Sequence, residues 1–337
     1  MLAGAGLAIL TGCGGDAAAN DGTCVPGSTL ACECLPGVSG ATICRPDGAG
    51  YGVCECGPGG GAGGAAGSAG SGGTGGGGTP MPSSGCGASE WPADGTITLD
   101  VEGTQRTYIV ELPAGYQPNT PHKLVFAWHG FTITAAQVAS TNTFANLGRF
   151  FGLEPRAGGS AIFVAPQGLD TMLLGQSGPG WDNMNGRDVA FARAMVESLR
   201  ASYCIDDARI FSAGVSMGGY LSNQLGCEMA DVFRAVASII GGGPIGVGTP
   251  QCQGPMPAWI THGNMDQINP FTQGVKSRDY WANANHCTTM TTPVAPATCV
   301  AYEGCDAGYP VHWCEFDGNH SIPNFAAEGM WSFFSQF

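Results

Sequence analysis

Between residues 96 and 316 the apolar positions change rhythm. Thr96-Ile97-Thr98-Leu99-Asp100-Val101 and Arg106-Thr107-Tyr108-Ile109-Val110-Glu111-Leu112 alternate in polarity on either side of Glu102-Gly103, which predicts an antiparallel hairpin. After that the apolar runs are short and unbroken, at 123–128, 161–165, 208–213, 235–240 and 258–261. Such runs are the signature of parallel strands buried on both faces. Helical patterns fall between them, at 143–153, 188–203, 217–229 and 275–284. In the second, Val189, Ala192, Val196 and Leu199 keep three-to-four spacing, and Asp188 stands where an N-cap belongs. A further strand is predicted from Val311 to Phe316. Strand, helix and strand in succession predict a doubly wound, mostly parallel α/β sheet over residues 86–337.

The N-terminal quarter has no such rhythm. Leu2 to Leu10 are small and apolar, too short to span a bilayer and suited to the hydrophobic part of a signal peptide. They run into Leu10-Thr11-Gly12-Cys13, so residues 1–13 read as a lipoprotein-type signal with Cys13 as the lipidated residue; the first basic residue is Arg45, which departs from the usual basic start. Cys24, Cys32, Cys34, Cys44, Cys54 and Cys56 crowd residues 14–56, where few large apolar side chains could build a core, and a small disulfide-held module is expected. Of the 22 residues from Gly57 to Gly78, 14 are glycine. Residues 57–85 therefore read as a disordered tether of about 29 residues with a reach of roughly 30 Å.

Charge and cysteine content narrow the function. The net charge is −14, with 12 Lys plus Arg and no basic cluster, so nucleic acid is not an expected partner. Fifteen cysteines suit an oxidising compartment, and with Cys13 set aside an even number remains for pairing. Neither a His-Glu-x-x-His pattern nor a dinucleotide fingerprint occurs, and no metal or organic cofactor is expected.

The chemistry centres on Gly214-Val215-Ser216-Met217-Gly218, between an apolar strand and a predicted helix. A serine on such a sharp turn projects its hydroxyl above the sheet, and small neighbours let the strained backbone pack. In this architecture the acid and then the histidine follow the serine. Asp266 leaves the strand that ends Thr261-His262-Gly263, and His320 lies in the turn after the 311–316 strand. The other histidines fit less well. His122 and His286 are expected to be solvated, His312 to sit within a strand, and His129 and His262 to support loops at strand ends. Asp317, in the same turn as His320, is expected to brace that loop. The oxyanion donors are assigned to the N–H of Met217 and to that of Phe131, with Gly130 as the alternative.

These motifs together resemble the carbohydrate esterase family 1 feruloyl esterases and the polyhydroxybutyrate depolymerases related to them. The segments that carry the likeness are Trp128-His129-Gly130, the stretches at 203–211 and 214–219, Val232-Phe233-Arg234-Ala235-Val236, and His262-Gly263-Asn264-Met265-Asp266. The run from Trp313 to Pro323 is more similar to the feruloyl branch, although Asn319 stands where glycine is expected before the histidine. The resemblance covers residues 86–337 and implies an α/β-hydrolase fold and a serine carboxylesterase acting on plant cell-wall polysaccharide esters. Phe131, Trp181 and Phe271 would form a slot for a flat acyl group, the alternative being that two of the three are core. Rival readings are a short-chain polyester depolymerase, an acetylxylan esterase and, from another class, a non-catalytic surface binding protein. Contact with a membrane is expected only through lipid on Cys13.

Overall fold

The computed structural model describes residues 25, 28–35, 38–44, 51, 79–140, 147–244, 252 and 254–337. The expectations for residues 1–13, for Cys24, Cys54 and Cys56, and for the glycine run at 57–78 concern residues outside the described ones. The chain divides into two compact units, Met1–Gly72 and Gly73–Phe337. In the first, β1 (Thr29–Leu35) and β2 (Val38–Ile43) form an antiparallel hairpin, and Cys44 just beyond it is buried and disulfide-bonded.

The second unit is built on a ten-stranded sheet. Its strands are β3 (Gly95–Val101), β4 (Thr104–Glu111), β5 (His122–Trp128), β6 (Ala161–Pro166), β9 (Ile205–Val215), β10 (Ala235–Ile239), β11 (Ala258–Gly263), β12 (Thr291–Val294), β13 (Cys299–Tyr302) and β14 (Val311–Phe316). They lie in the order β12-β13-β14-β11-β10-β9-β5-β6-β4-β3. The six from β14 to β6 are parallel, and antiparallel pairs close both edges. A separate antiparallel hairpin, β7 (Leu169–Leu173) and β8 (Gln176–Gly180), rises between β6 and α3 (Arg187–Ser202), outside the predicted elements. Its turn is Leu174-Gly175, with both residues at positive φ, and it lacks the Asn-Gly or Asp-Gly pair that marks such turns in a sequence.

The short apolar strands are buried on both faces because successive side chains enter different cores. On β5, Leu124, Phe126 and Trp128 join one cluster with α3 (Arg187–Ser202), α4 (Met217–Glu228) and α5 (Phe271–Ala284). Val125 and Ala127 join the other, under α1 (Ala135–Val138), α2 (Leu153–Ala157) and α6 (Ala326–Phe334). Strand order reverses between β5 and β9, since β6 lies on one side and β10, β11 and β14 on the other. In an open sheet of this kind ligands bind at the carboxyl ends of the strands that flank such a reversal.

Three expectations need correction. The helix over 143–153 is replaced, within the described residues, by a 3-10 turn at Arg149–Gly152 and the short α2, because Phe150 and Phe151 are buried at positive φ and cannot continue a right-handed helix. The tether does not run to residue 85: the Met81 N–H donates to the Asp206 carboxylate and that of Ser83 to the Ile205 carbonyl, which binds this segment to the start of β9. Asp188 is not an N-cap. Gly186 holds that position, the Asn183 side chain accepts the N–H groups of Asp188 and Val189, and the fully buried Asp188 carboxylate pairs with Arg106 at 2.9 Å.

The eight cysteines of this unit form four disulfides, Cys86–Cys204, Cys227–Cys252, Cys287–Cys305 and Cys299–Cys314. Cys299–Cys314 pins the antiparallel edge to β14, the strand that leads to His320.

The Arg106–Asp188 pair generates a stability test. Burial pushes the Asp188 carboxyl up and the Arg106 guanidinium down despite their attraction, so each charge depends on the other. Arg106→Met should cost about 3 to 5 kcal/mol in urea unfolding, because it leaves Asp188 buried and unpaired. Adding Asp188→Asn should recover part of that loss. A cost below about 1 kcal/mol for Arg106→Met would show that the pair contributes little.

Candidate active site

Strand β9 ends at Val215, and Ser216 turns directly into α4 with φ 55° and ψ −116°. This positive-φ conformation is unfavourable for a serine and is held by its surroundings. The Ser216 N–H donates to the Ile239 carbonyl of β10 at 2.9 Å. A Cβ on Gly214 would stand 2.0 Å from the Gly218 carbonyl oxygen, and one on Gly218 would stand 2.1 Å from that of Trp128. Only glycine fits at either position, so the turn seats Ser216 beside the end of β5.

The acid and the histidine arrive on neighbouring strands. Asp266 follows β11, and His320 follows β14, which pairs with β11 in parallel. The two loops are joined by the Asn264 N–H to Phe316 O and the Met265 N–H to Gly318 O, each at 3.0 Å. His320 Nε2 lies 2.9 Å from Ser216 Oγ, and His320 Nδ1 lies 2.7 Å from Asp266 Oδ2. A carboxylate oxygen can only accept, so the imidazole carries its proton on Nδ1 and turns the Nε2 lone pair toward the serine. Asp266 Oδ1 accepts the N–H groups of Ile268 at 3.0 Å and Asn269 at 2.9 Å, which compensates the buried carboxylate for lost water.

Beside the serine runs the turn after β5. A Cβ on Gly130 would come within 3.5 Å of Ser216 Cβ, and Gly130 and Phe131 line the same cleft as Ser216. Met217 is the first residue of α4, so its N–H has no partner within the helix. His129 lies buried beneath the turn. Its Nδ1 donates to the Gly130 carbonyl at 2.7 Å, and its Nε2 accepts the Gly168 N–H at 2.9 Å, which requires a neutral ring. Burial lowers its pKa to about 4, consistent with that state.

The cleft above the serine encloses about 480 Å³. Its apolar wall comes from Ile133, Leu173, Leu174, Ile240, Ile268 and Ile322. Of the three aromatic residues expected there, only Phe131 lines it. The indole N–H of Trp181 donates to the His129 carbonyl at 2.8 Å and its ring packs edge-on to Trp128, so it is buried below the turn. Phe271 begins α5 and packs between His262 and Trp313. The aliphatic residues that take their place belong to four separate loops and the β7–β8 hairpin, and no local pattern marks them in the sequence.

The remaining histidines divide by burial. His122 is buried against Tyr116 at the start of β5 rather than solvated, whereas His286 is exposed and paired with Asp306. His312 packs within β14 against Phe333, and burial lowers its pKa to about 4. His262 is fully buried beside Asp266. Exposed Asp317 accepts from the Asn264 side chain at 2.7 Å and so links the acid and histidine loops.

Comparison with known proteins agrees with this arrangement of elements. The chain is 33% identical over 277 residues to feruloyl esterase D of Neurospora crassa, covering 76% of this chain and 91% of that protein. It is 33% identical over 266 residues to feruloyl esterase C of Emericella nidulans, covering 75% and 90%. No family model matches the chain. Among solved structures, a ferulic acid esterase from Anaeromyces mucronatus superposes with a TM-score of 0.51 at 17% identity, over 74% of this chain and 92% of that one. The acetyl xylan esterase of Aspergillus awamori gives 0.53 at 14% identity, over 72% and 99%. These two structures speak for the fold.

His129 makes the stability of the site depend on pH. Its folded pKa of about 4 lies below the ordinary 6.5, so the unfolded chain takes up a proton that the folded one refuses. Stability present above pH 6.5 should be lost as the pH falls toward 4, by about 3 kcal/mol from this ring. Thermal unfolding of His129→Asn should show a correspondingly shallower dependence over that interval. Equal slopes for the variant and the wild type would mean that His129 is not the group responsible.

Proposed function

We propose that this chain, which belongs to the feruloyl esterase family, uses Ser216, His320 and Asp266 to hydrolyse hydroxycinnamoyl esters of plant cell-wall polysaccharide. One observation carries the reading: the hydrogen-bonded sequence Ser216–His320–Asp266 opens into a largely apolar cleft. His320 Nε2 takes the hydroxyl proton as Ser216 Oγ forms a bond to the ester carbonyl carbon. Asp266 holds the ring and stabilises the imidazolium. The tetrahedral oxyanion is assigned to the N–H groups of Met217 and Phe131, with Gly130 as the alternative second donor, each contributing about 3 kcal/mol. The carbon–oxygen bond to the sugar breaks and the leaving alkoxide takes the proton from His320. Water, deprotonated by the same nitrogen, then attacks the acyl-enzyme, releases the free acid and restores Ser216. The side chains themselves supply every proton transfer.

The substrate class draws on the relatives' names and on the cleft. Its aliphatic walls and Phe131 suit a planar, weakly polar acyl group, and the cleft is roomier than an acetyl group needs. A second reading, a short-chain polyester depolymerase, is favoured by Met172, Leu174 and Ile268, exposed at 66, 85 and 69%. Apolar side chains in the open can rest on a solid polymer.

Four disulfides in the catalytic unit suit an oxidising compartment. Among the described residues no helix is long and apolar enough to cross a membrane. Tethering of an extracellular enzyme through lipid on Cys13, by way of the cysteine-rich segment and the glycine run, is part of this proposal.

Ser216→Ala and His320→Ala should each abolish nearly all turnover while leaving the circular dichroism unchanged, and Asp266→Asn should be severe. Near-normal turnover in folded His320→Ala would move the base elsewhere. The ratio of kcat/KM for methyl ferulate to that for a 3-hydroxybutyrate oligomer should favour the ferulate, and the reverse preference would select the polyester reading. In a bacterial host, Cys13→Ser should shift the protein from the membrane to the soluble fraction; its retention in the membrane would remove the anchor assignment.

A further inference from the structure

The carboxylate of Asp266 has a second histidine beside it. His262 is the penultimate residue of β11, fully buried and T-shaped against Phe271. Its Nε2 lies 2.9 Å from the Asn269 carbonyl and 3.3 Å from Asp266 Oδ2, the oxygen that also receives His320 Nδ1. Both neighbours of Nε2 are acceptors, so that nitrogen carries the proton. The other ring nitrogen, Nδ1, is buried without a hydrogen-bond partner. A proton there would be an unsatisfied buried donor, so the ring is neutral with a single available tautomer.

The surroundings hold the ring in this pose. Helix α5 carries Gly274 over it, and a Cβ at that position would lie 2.6 Å from both Cβ and Nδ1 of His262. Asn269 connects the pose to the rest of the site. Its N–H donates to Asp266 Oδ1, its carbonyl accepts from His262, and its side-chain amide donates to the carbonyls of Ile240 and Gly241 at 2.8 and 2.9 Å. Tyr220, one turn into α4 from Ser216, donates its hydroxyl to Asn269 Oδ1 at 2.9 Å.

We propose that His262 is a positioning residue for the catalytic acid, its Nε2–H shared between the Asn269 carbonyl and Asp266 Oδ2 so as to set the carboxylate against His320. The inference rests on the assignment of Ser216, His320 and Asp266 as the catalytic groups. It assigns His262 two effects. The shared hydrogen fixes the rotation of the carboxylate about its own axis, and it draws off part of the negative charge that Asp266 presents to His320. Without that donor the imidazolium is better stabilised, so the base is protonated at a higher pH and the acid limb of kcat/KM moves upward. Ionisable groups on the surrounding elements include Tyr220 on α4, Lys276, Asp279, Tyr280 and Arg278 on α5, with Arg278 stacked over Trp313, and His312, Glu315 and Asp317 on and just after β14, the last two bonded by the exposed Asn264.

Two amide substitutions separate the geometry from mere polarity. The amide nitrogen of glutamine can reach the position of imidazole Nε2, whereas that of asparagine falls near Nδ1. His262→Asn should therefore lower kcat by about tenfold to a hundredfold with little change in KM, and should move the acid limb to higher pH. His262→Gln should recover most of the lost kcat and return the limb to its wild-type position. Equal losses in both variants, or a loss in His262→Asn with an unmoved limb, would overturn the proposal. Nitrogen-15 NMR of histidine-labelled wild-type protein tests it without any variant: His262 protonated on Nε2 supports it, and protonation on Nδ1 sinks it. Should Ser216→Ala keep its activity, the triad assignment fails first. If Ser216→Ala is inactive while His262→Asn behaves as wild type, only the role of His262 is lost.

Discussion

A chain can pass from a buried strand into a helix across Ser216 only if three backbones come almost into contact. Gly214 faces the Gly218 carbonyl, Gly218 faces the Trp128 carbonyl, and Ser216 itself is held at positive φ by a hydrogen bond to β10. The strain at Ser216 is sustained by the parallel sheet around it, since β5, β9 and β10 must all be in register before these contacts exist. Everything chemical at the site follows from this close approach. It lifts the hydroxyl above the strand ends, leaves the first N–H of α4 without a helical partner, and brings the turn after β5 alongside.

Burial then sorts side chains of one type into different tasks. His129 and His262 are both enclosed at strand ends and both neutral, one bracing the turn after β5 and the other lying against the acid. His320 is partly open to the cleft and bonded on both nitrogens, the arrangement a proton carrier needs. Asp266 and Asp188 make a similar contrast. Both carboxylates are buried, but Asp188 faces the fixed charge of Arg106, whereas Asp266 faces imidazoles and backbone N–H groups. The first is suited to holding a loop, and the second to responding when a proton moves.

Period and spacing determined much of this in advance. Short unbroken apolar runs marked strands with two covered faces, and the order of serine, acid and histidine singled out Ser216, Asp266 and His320. The structure places those three in one hydrogen-bonded line, and the family comparisons agree with the likeness read from the motifs. These features were readable because each is local: a strand declares itself in six residues, and a strained turn in five.

What the sequence alone left open depends on residues that meet only after folding. The cleft wall is assembled from side chains far apart in the chain, such as Ile133, Ile240 and Ile322, and isolated isoleucines carry no signal of the cavity they share. Trp181 and Phe271 had the right chemistry for that wall, but their neighbours Trp128 and Trp313 claim them for the core. Asp188 stood where a cap belongs until Arg106, 82 positions away, met it across the interior. Disulfide pairing was equally out of reach, because cysteine spacing does not say which strands lie side by side. Sequence alone therefore determined the periods, the motifs and the order of the chemical groups. Tertiary structure decided which side chains are dry, which are wet and which share a wall, because burial is a property of the packed whole.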